Sequence, residues 1–288
     1  LLYITGVRKM IKSFKYRISA NTQTIQKAEN WLNLCRILYN TFLEWRIIEY
    51  KTSKKSISGY DQTNYLPKLK KNLPKFKELG SQVLQDVVFR LDKAYQGFFR
   101  RVKNGSTPGF PRFKSYPRNS SFTLTQYGWK LEDKYLSINK IGKFKIKLSR
   151  PIEGIIKTVT ISKSSTNKWF VSFSCDNVPE KLLPKTNKAV GIDVGCESFL
   201  TTSNNFKVPN PRFLNKSKDI LTKRQQSLSR KKRGSMRRGK AKILVAKAHE
   251  KIANQRKDFH FKVANYLVKE NDVICIEKMG SWNSFRVL

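Results

Sequence analysis

Two carboxylates sit inside short apolar runs of β pattern. Asp193 stands in Val190-Gly191-Ile192-Asp193-Val194-Gly195, and Glu277 ends Val273-Ile274-Cys275-Ile276-Glu277. An acid in a buried strand is costly unless it meets a charge or a metal. The two are 277 − 193 = 84 residues apart, with basic, helix-patterned sequence between them. Strands, then helices, then a strand describe an α/β domain whose two acid-bearing strands could be neighbours. Side by side the carboxylates would repel, and a divalent cation between them would reverse that repulsion. Carboxylates on adjacent strands holding two Mg²⁺ ions suit phosphodiester hydrolysis, because the ions polarise the phosphate and activate water. Gly191 and Gly195 leave room for a backbone or a phosphate beside Asp193. The alternative is that each acid stands at a strand end, solvated or paired with Lys.

The charge balance favours a phosphate-bearing partner. Lys and Arg number 59 against 20 Asp and Glu, a net charge of +39 over 288 residues. A chain this basic repels itself when alone and is best explained by a polyanion, nucleic acid before a membrane surface. Residues 216–242 concentrate the effect, with twelve Lys or Arg and one acid, Asp219. Lys223, Arg224, Arg230, Lys231, Lys232, Arg233, Arg237 and Arg238 are the candidate phosphate contacts there. Arg112 and Lys114, interleaved with Phe110 and Phe113, offer charge beside stacking faces, and Arg256 adds a cation further on. A solvated helix face is the plainer account of any such run. Tyr127 and Trp129 are read as core in preference to stacking faces, and His249 and His260, eleven apart, as structural or backbone-contacting and not as a metal pair. A small-substrate kinase, which also carries Gly-Ile-Asp-x-Gly, fits neither this charge nor the lack of a second Gly-rich turn. No apolar run reaches eighteen residues, so no membrane helix is expected. Cys35, Cys175, Cys196 and Cys275 form no CxxC pair and are read as reduced, buried thiols.

Periodicity divides the chain. Phe14, Tyr16 and Ile18 alternate with Lys15 and Arg17 as a strand. Residues 1–9 are read as upstream of a start at Met10. Asn21-Thr22 caps a helix with the stripe Ile25, Ala28, Leu32, Cys35, Tyr39 and Phe42. Residues 51–60 are predicted as loop. A second helix follows Gly80-Ser81 with the stripe Leu84, Val87, Leu91, Ala94, Phe98 and Val102, and Asn104-Gly105 stops it. Two prolines exclude helix from Thr107 to Lys114. Five short strands are then expected, at 121–125, 135–138, 142–148, 155–162 and 169–175, spaced as in a small barrel or sandwich. The first strand would join them, making the helices an insertion. After a linker, strands flank two basic helices at 213–233 and 240–270. Residues 280–288 carry no strong pattern.

Gly191-Ile192-Asp193-Val194-Gly195 followed by Ser203-Asn204-Asn205 resembles the first RuvC motif of the TnpB (OrfB) proteins of bacterial insertion sequences, relatives of the type V CRISPR nucleases. The stretch from His249 to His260 resembles the family's long helix before its second motif. Ile276-Glu277-Lys278-Met279 resembles that motif, which more often has Asp-Leu after the Glu. Gly109-Phe110-Pro111-Arg112-Phe113-Lys114 and the opening strand and helix around Tyr16, Arg17 and Trp31 fit as well. The resemblance runs from Met10 to Met279.

It implies an RNA-guided DNA endonuclease of a transposable element, with guide RNA and target DNA as partners and no membrane or small-molecule substrate. The implied fold is multidomain α+β. A wedge β-barrel (1–20 and 105–180) carries an inserted helical recognition unit (21–104). A linker (181–188) leads to an RNase H-like (RuvC) nuclease domain (189–288) lacking its C-terminal part. Asp193 and Glu277 take the family's catalytic, Mg²⁺-holding positions. The family's third catalytic Asp and its four-Cys zinc ribbon follow the second motif and are absent from this sequence. The expectation is therefore a nucleic-acid-binding, catalytically incomplete chain without zinc, or a non-catalytic RNA- or DNA-binding module derived from a truncated relative. A bacterial cytoplasmic setting goes with either.

Overall fold

The computed structural model describes residues 9–116 and 119–277. The stretch before Lys9, Lys278 and Met279 of the second motif, and the tail 280–288 lie outside the described residues. The chain divides into two compact units, 1–180 and 181–288.

The first unit is a seven-stranded antiparallel sheet with three helices. Its strands are β1 (Lys9–Ser19), β2 (Ser121–Leu124), β3 (Trp129–Glu132), β4 (Tyr135–Ile138), β5 (Gly142–Lys147), β6 (Ile155–Lys163) and β7 (Trp169–Pro179), in the order β2-β6-β7-β1-β5-β4-β3. β1 lies at the centre, paired from Ile18↔Trp169 to Lys9↔Pro179 on one side and from Arg17↔Lys147 on the other. The alternation of Phe14, Tyr16 and Ile18 with charged residues puts the three on the core face, each under 8% exposed. Full burial of such side chains stabilises by about 1.5–3 kcal/mol apiece. β2 and β3 form the two ends of the sheet order, so the expected barrel is not sealed. β3 was not expected. Trp129 packs against the core from the sheet's end, whereas Tyr127, read as core, is 77% exposed at the preceding turn.

Between β1 and β2 run α1 (Thr22–Ser53), α2 (Gly59–Asn72), a 3₁₀ turn (Pro74–Glu78) and α3 (Ser81–Lys103). Asn21 caps α1 by accepting from the Thr24 amide at 2.8 Å. The stripe from Ala28 to Phe42 is buried as expected and shares one core with the sheet. The predicted 51–60 loop shrinks to residues 54–58, with helix on either side. α1 runs to Ser53, and Ser58 opens α2 with a reciprocal capping box to Asp61. α2 escaped the sequence reading because Pro67 lies inside it, a residue that costs a helix interior about 3 kcal/mol. Burial of Leu66, Leu69 and Gln62 outweighs that cost. The α3 stripe is buried from Val83 to Leu91, then opens, leaving Val102 51% exposed.

Gln62 is fully buried between two neighbours. Its amide donates to Phe42 O at 2.8 Å and its carbonyl accepts from Arg46 Nε at 2.9 Å. Arg46 Nη2 reaches Asp92 Oδ1 at 3.1 Å, and that same oxygen accepts from the Gly59 amide. One buried cation thus ties α1, α2 and α3 together.

The second unit holds a four-stranded sheet, β8 (Ala189–Asp193), β9 (Ser198–Thr202), β10 (Lys207–Pro209) and β11 (Val273–Ile276), in the order β10-β9-β8-β11. α4 (Phe213–Ser229) and α5 (Met236–Glu270) form a hairpin between β10 and β11. The core is small: Leu200, Val208 and Leu267 are buried, with Ile192, Phe199, Phe259, Val263 and Ile274 against them.

Candidate functional site

Strand register gives Asp193 and Glu277 equivalent positions. β11 runs parallel to β8 with Ile274 opposite Val190 and Ile276 opposite Ile192. One residue on, Glu277 follows Ile276 as Asp193 follows Ile192, so both acids stand at the carboxyl ends of neighbouring parallel strands. The pleat then turns both toward the same side of the sheet. Both are exposed, so neither pays the penalty of a buried strand acid. The glycines beside Asp193 differ. A Cβ at Gly195 would come within 3.1 Å of Ser198 O, whereas at Gly191 it would meet Ser203 at an ordinary 3.6 Å. The close approach is therefore at Gly195. Gly191 is paired by backbone, with Ser203 N donating to its carbonyl at 2.8 Å.

Asp272 fixes where β11 begins. Its carboxylate accepts from the amides of Thr186 and Asn187, at 2.9 and 2.7 Å, and from the Thr186 hydroxyl. The Thr186 and Asn187 amides hold it below the ordinary carboxylate range. Among the described residues no group of three or more His, Cys, Asp or Glu converges. Two exposed carboxylates suit a hard cation such as Mg²⁺, which takes one or two carboxylates and keeps its remaining ligands as water or phosphate oxygen.

The basic candidates fall into two groups. Arg238 Nη1 donates to Leu228 O and Lys231 O at 2.9 and 2.8 Å, Arg224 Nη1 to Leu244 O at 2.9 Å, and Lys231 Nζ to Ser227 O at 3.1 Å. Ser235 caps α5 by accepting from the Arg238 amide. These three cations brace the α4–α5 turn. Lys223, Arg230, Lys232, Arg233 and Arg237 are exposed, and their charged ends make no hydrogen bond or ion pair among the described residues.

In the first unit Arg112 is exposed, but Lys114 is tethered. Its backbone exchanges two hydrogen bonds with the Asn40 side chain, and its ammonium lies 3.8 Å from the Tyr39 ring centroid. Burial, then Arg90, draws its pKa down. Cys35 is buried, its thiol pushed up to about 12 by burial. Cys175 is also buried, but Cys196 and Cys275 are exposed, contrary to the buried reading of all four. Cys275 lies on the thinly covered strand β11, where an apolar run is no guarantee of a covered face, and Cys196 lies in the bend between β8 and β9.

Arg256 lines a cavity of about 440 Å³ in the second unit, with Arg212, Phe199, Phe259 and His260 among its walls. His260 stacks on Phe199 at 5.1 Å, the structural role expected of it, while His249 is exposed. Arg212 was missed. Its signal was the triplet Pro211-Arg212-Phe213, a repeat of Pro111-Arg112-Phe113.

Comparison with known proteins bears on this arrangement. A family model described as "Probable transposase" (OrfB of IS605) matches residues 172–287. A second, described as "Helix-turn-helix domain", matches residues 10–55, which here are β1 and α1. A "Putative RNA-guided DNA endonuclease" of Streptomyces pristinaespiralis is 30% identical over 281 residues, 95% of this chain and 68% of that protein. The "Putative RNA-guided DNA endonuclease InsQ" of Escherichia coli K12 is 28% identical over 94% of this chain and 67% of its own length. The protein in the Cas12f1–sgRNA–target DNA complex has a similar fold, with a TM-score of 0.55 at 12% identity over 94% of this chain and 81% of that one.

Proposed function

Because the chain belongs to the TnpB/OrfB family of insertion-sequence proteins, we propose that it acts as an RNA-guided DNA endonuclease of a transposable element, with guide RNA and target DNA as partners. The observation that carries its chemistry is the parallel register of β8 and β11, which brings Asp193 and Glu277 to equivalent strand ends.

In this reading Asp193 and Glu277 hold a divalent cation, Mg²⁺, through carboxylate oxygens. When bound, such an ion supplies Lewis-acid polarisation of the scissile phosphate. The Asp272 clamp positions Glu277 by fixing the start of β11. Lys223, Arg230, Lys232, Arg233 and Arg237 neutralise phosphates, and Arg224, Lys231 and Arg238 hold the hairpin that presents them. Arg112 and Arg256 add phosphate contacts, and Lys114 orients the Gly109–Lys114 run on α1. The sheet of 1–20 and 105–180 serves as the wedge, 21–104 as the recognition helices, 181–188 as linker and 189–288 as the nuclease part.

Mn²⁺ titration followed by electron paramagnetic resonance tests the acid pair. Binding that Asp193→Ala and Glu277→Ala each abolish supports the assignment. Binding unchanged in both variants overturns it. Cleavage of a guide-matched plasmid in Mg²⁺, lost in Asp193→Ala, tests the nuclease reading directly.

A further inference from the structure

The first unit carries an aromatic cavity that the metal site and the basic hairpin do not use. It measures about 420 Å³ and is lined by Arg46, Lys51, Tyr95, Phe98, Phe99 and Phe110, among others. That lies within the roughly 300–1,000 Å³ of small-molecule sites. The rings form a chain of contacts: Phe98 to Phe99 at 5.2 Å, Phe98 to Phe110 at 5.3 Å and Tyr95 to Phe110 at 5.6 Å. Arg46 stacks on Tyr95 at 4.9 Å, and Arg101 Nη2 holds the Phe110 loop through Gly109 O at 2.8 Å. Yet Phe99 is 56% and Phe110 46% exposed. The walls are ordered, and they remain open to solvent.

The surrounding charge identifies the occupant. Arg46, itself paired with Asp92, and Lys51 line the cavity, and Arg100, Arg101 and Lys103 stand in the last turn of α3 beside Phe98 and Phe99. An apolar peptide gains nothing from such a rim. A base carried on a phosphate backbone gains from both, because rings stack the base while cations hold the phosphates. The Tyr95 and Ser56 hydroxyls supply polar groups for a base edge.

We propose that this cavity receives one unpaired base of a bound nucleic-acid strand, stacked against Phe99 and Phe110. The inference rests on the nucleic-acid reading above and adds to it a base-holding site in the helical part of the first unit.

Single-stranded RNA and DNA oligonucleotides carrying one 2-aminopurine, scanned through each position, test it with the full chain. Stacking quenches the fluorophore. Wild type is expected to quench at one position of a tight complex, and whichever of RNA or DNA shows it identifies the strand. Phe99→Ala, at an exposed site where Ala suits a helix, should lose that quench and weaken binding roughly five- to hundredfold, with the salt slope unchanged. Phe99→Trp should restore both. Tight binding without positional quenching, or a Phe99→Ala variant equal to wild type, overturns the inference and leaves the nucleic-acid reading standing. Failure of every oligonucleotide to bind at low salt overturns both.

Discussion

Ile276 of β11 stands directly opposite Ile192 of β8 in a parallel ladder. That one pairing brings the next residues, Glu277 and Asp193, into company. A ligand that binds only the folded pair stabilises the fold, by about 2.7 kcal/mol at a hundred times its Kd. Mg²⁺ or Mn²⁺ should therefore raise the melting temperature of the wild type. Asp193→Asn should abolish the response without lowering stability in the absence of the cation, since it removes a like-charge neighbour. An equal cation response in the variant would refute the shared site.

The α4–α5 hairpin separates two kinds of cation by their hydrogen bonds. Alanine at Lys232, Arg233 and Arg237 should reduce the log–log salt slope of duplex binding by about 0.9 for each phosphate no longer neutralised, with the melting temperature unchanged. Arg238→Ala should instead loosen the turn, because its guanidinium holds Leu228 O and Lys231 O. Salt-dependent filter binding and thermal melts of both variants decide between phosphate grip and scaffold.

Arg46 is 7% exposed and answers Gln62 and Asp92 from two other helices. Arg46→Met keeps the length of the stem but leaves the Gln62 carbonyl and the Asp92 carboxylate short of a donor. Asp92 is 26% exposed, so water makes up part of the loss. A destabilisation of about 2–3 kcal/mol is expected by denaturant titration. A value under about 0.5 kcal/mol, the scatter of surface substitutions, would show the network to be incidental.

Asp272 offers a pH test. The Thr186 and Asn187 amides favour its charged form, so its folded pKa is depressed. Its contribution is present above the unfolded pKa and is lost as the pH falls through the folded one. Wild type should exceed Asp272→Ala in stability at pH 7, and the gap should close below the ordinary carboxylate range. A gap that persists undiminished in acid would assign the effect to something other than the carboxylate.

Patterns within one element carried most of what the sequence revealed. The Ala28–Phe42 stripe and the Phe14–Ile18 alternation follow from local periodicity, which burial then obeys. What failed depended on partners. Gln62 and Leu66 are ordinary residues until α1 and α3 close over α2, so the helix around Pro67 was not picked out. Arg46 gave no signal of its own, because its partners Gln62 and Asp92 come from other helices. The exposure of Cys275 depends on which sheet face lacks cover, and no apolar run encodes that. Asp193 and Glu277 were conspicuous as acids in apolar runs, but their common position came from the β8–β11 ladder.

The central place of β1 has a consequence during synthesis. Its partner β7 starts at Trp169, paired with Ile18, so 169 − 18 = 151 residues must follow before that ladder can begin. At about 5–20 residues per second the ribosome takes roughly 8–30 s to supply them. Until β5 is made and reaches Arg17 through Lys147, both edges of the strand are unsatisfied, and the edge that β7 takes stays open for the rest of that interval. The three helices between β1 and β2 emerge during the wait, and the faces they bury in the finished core are the ones available to shelter that strand.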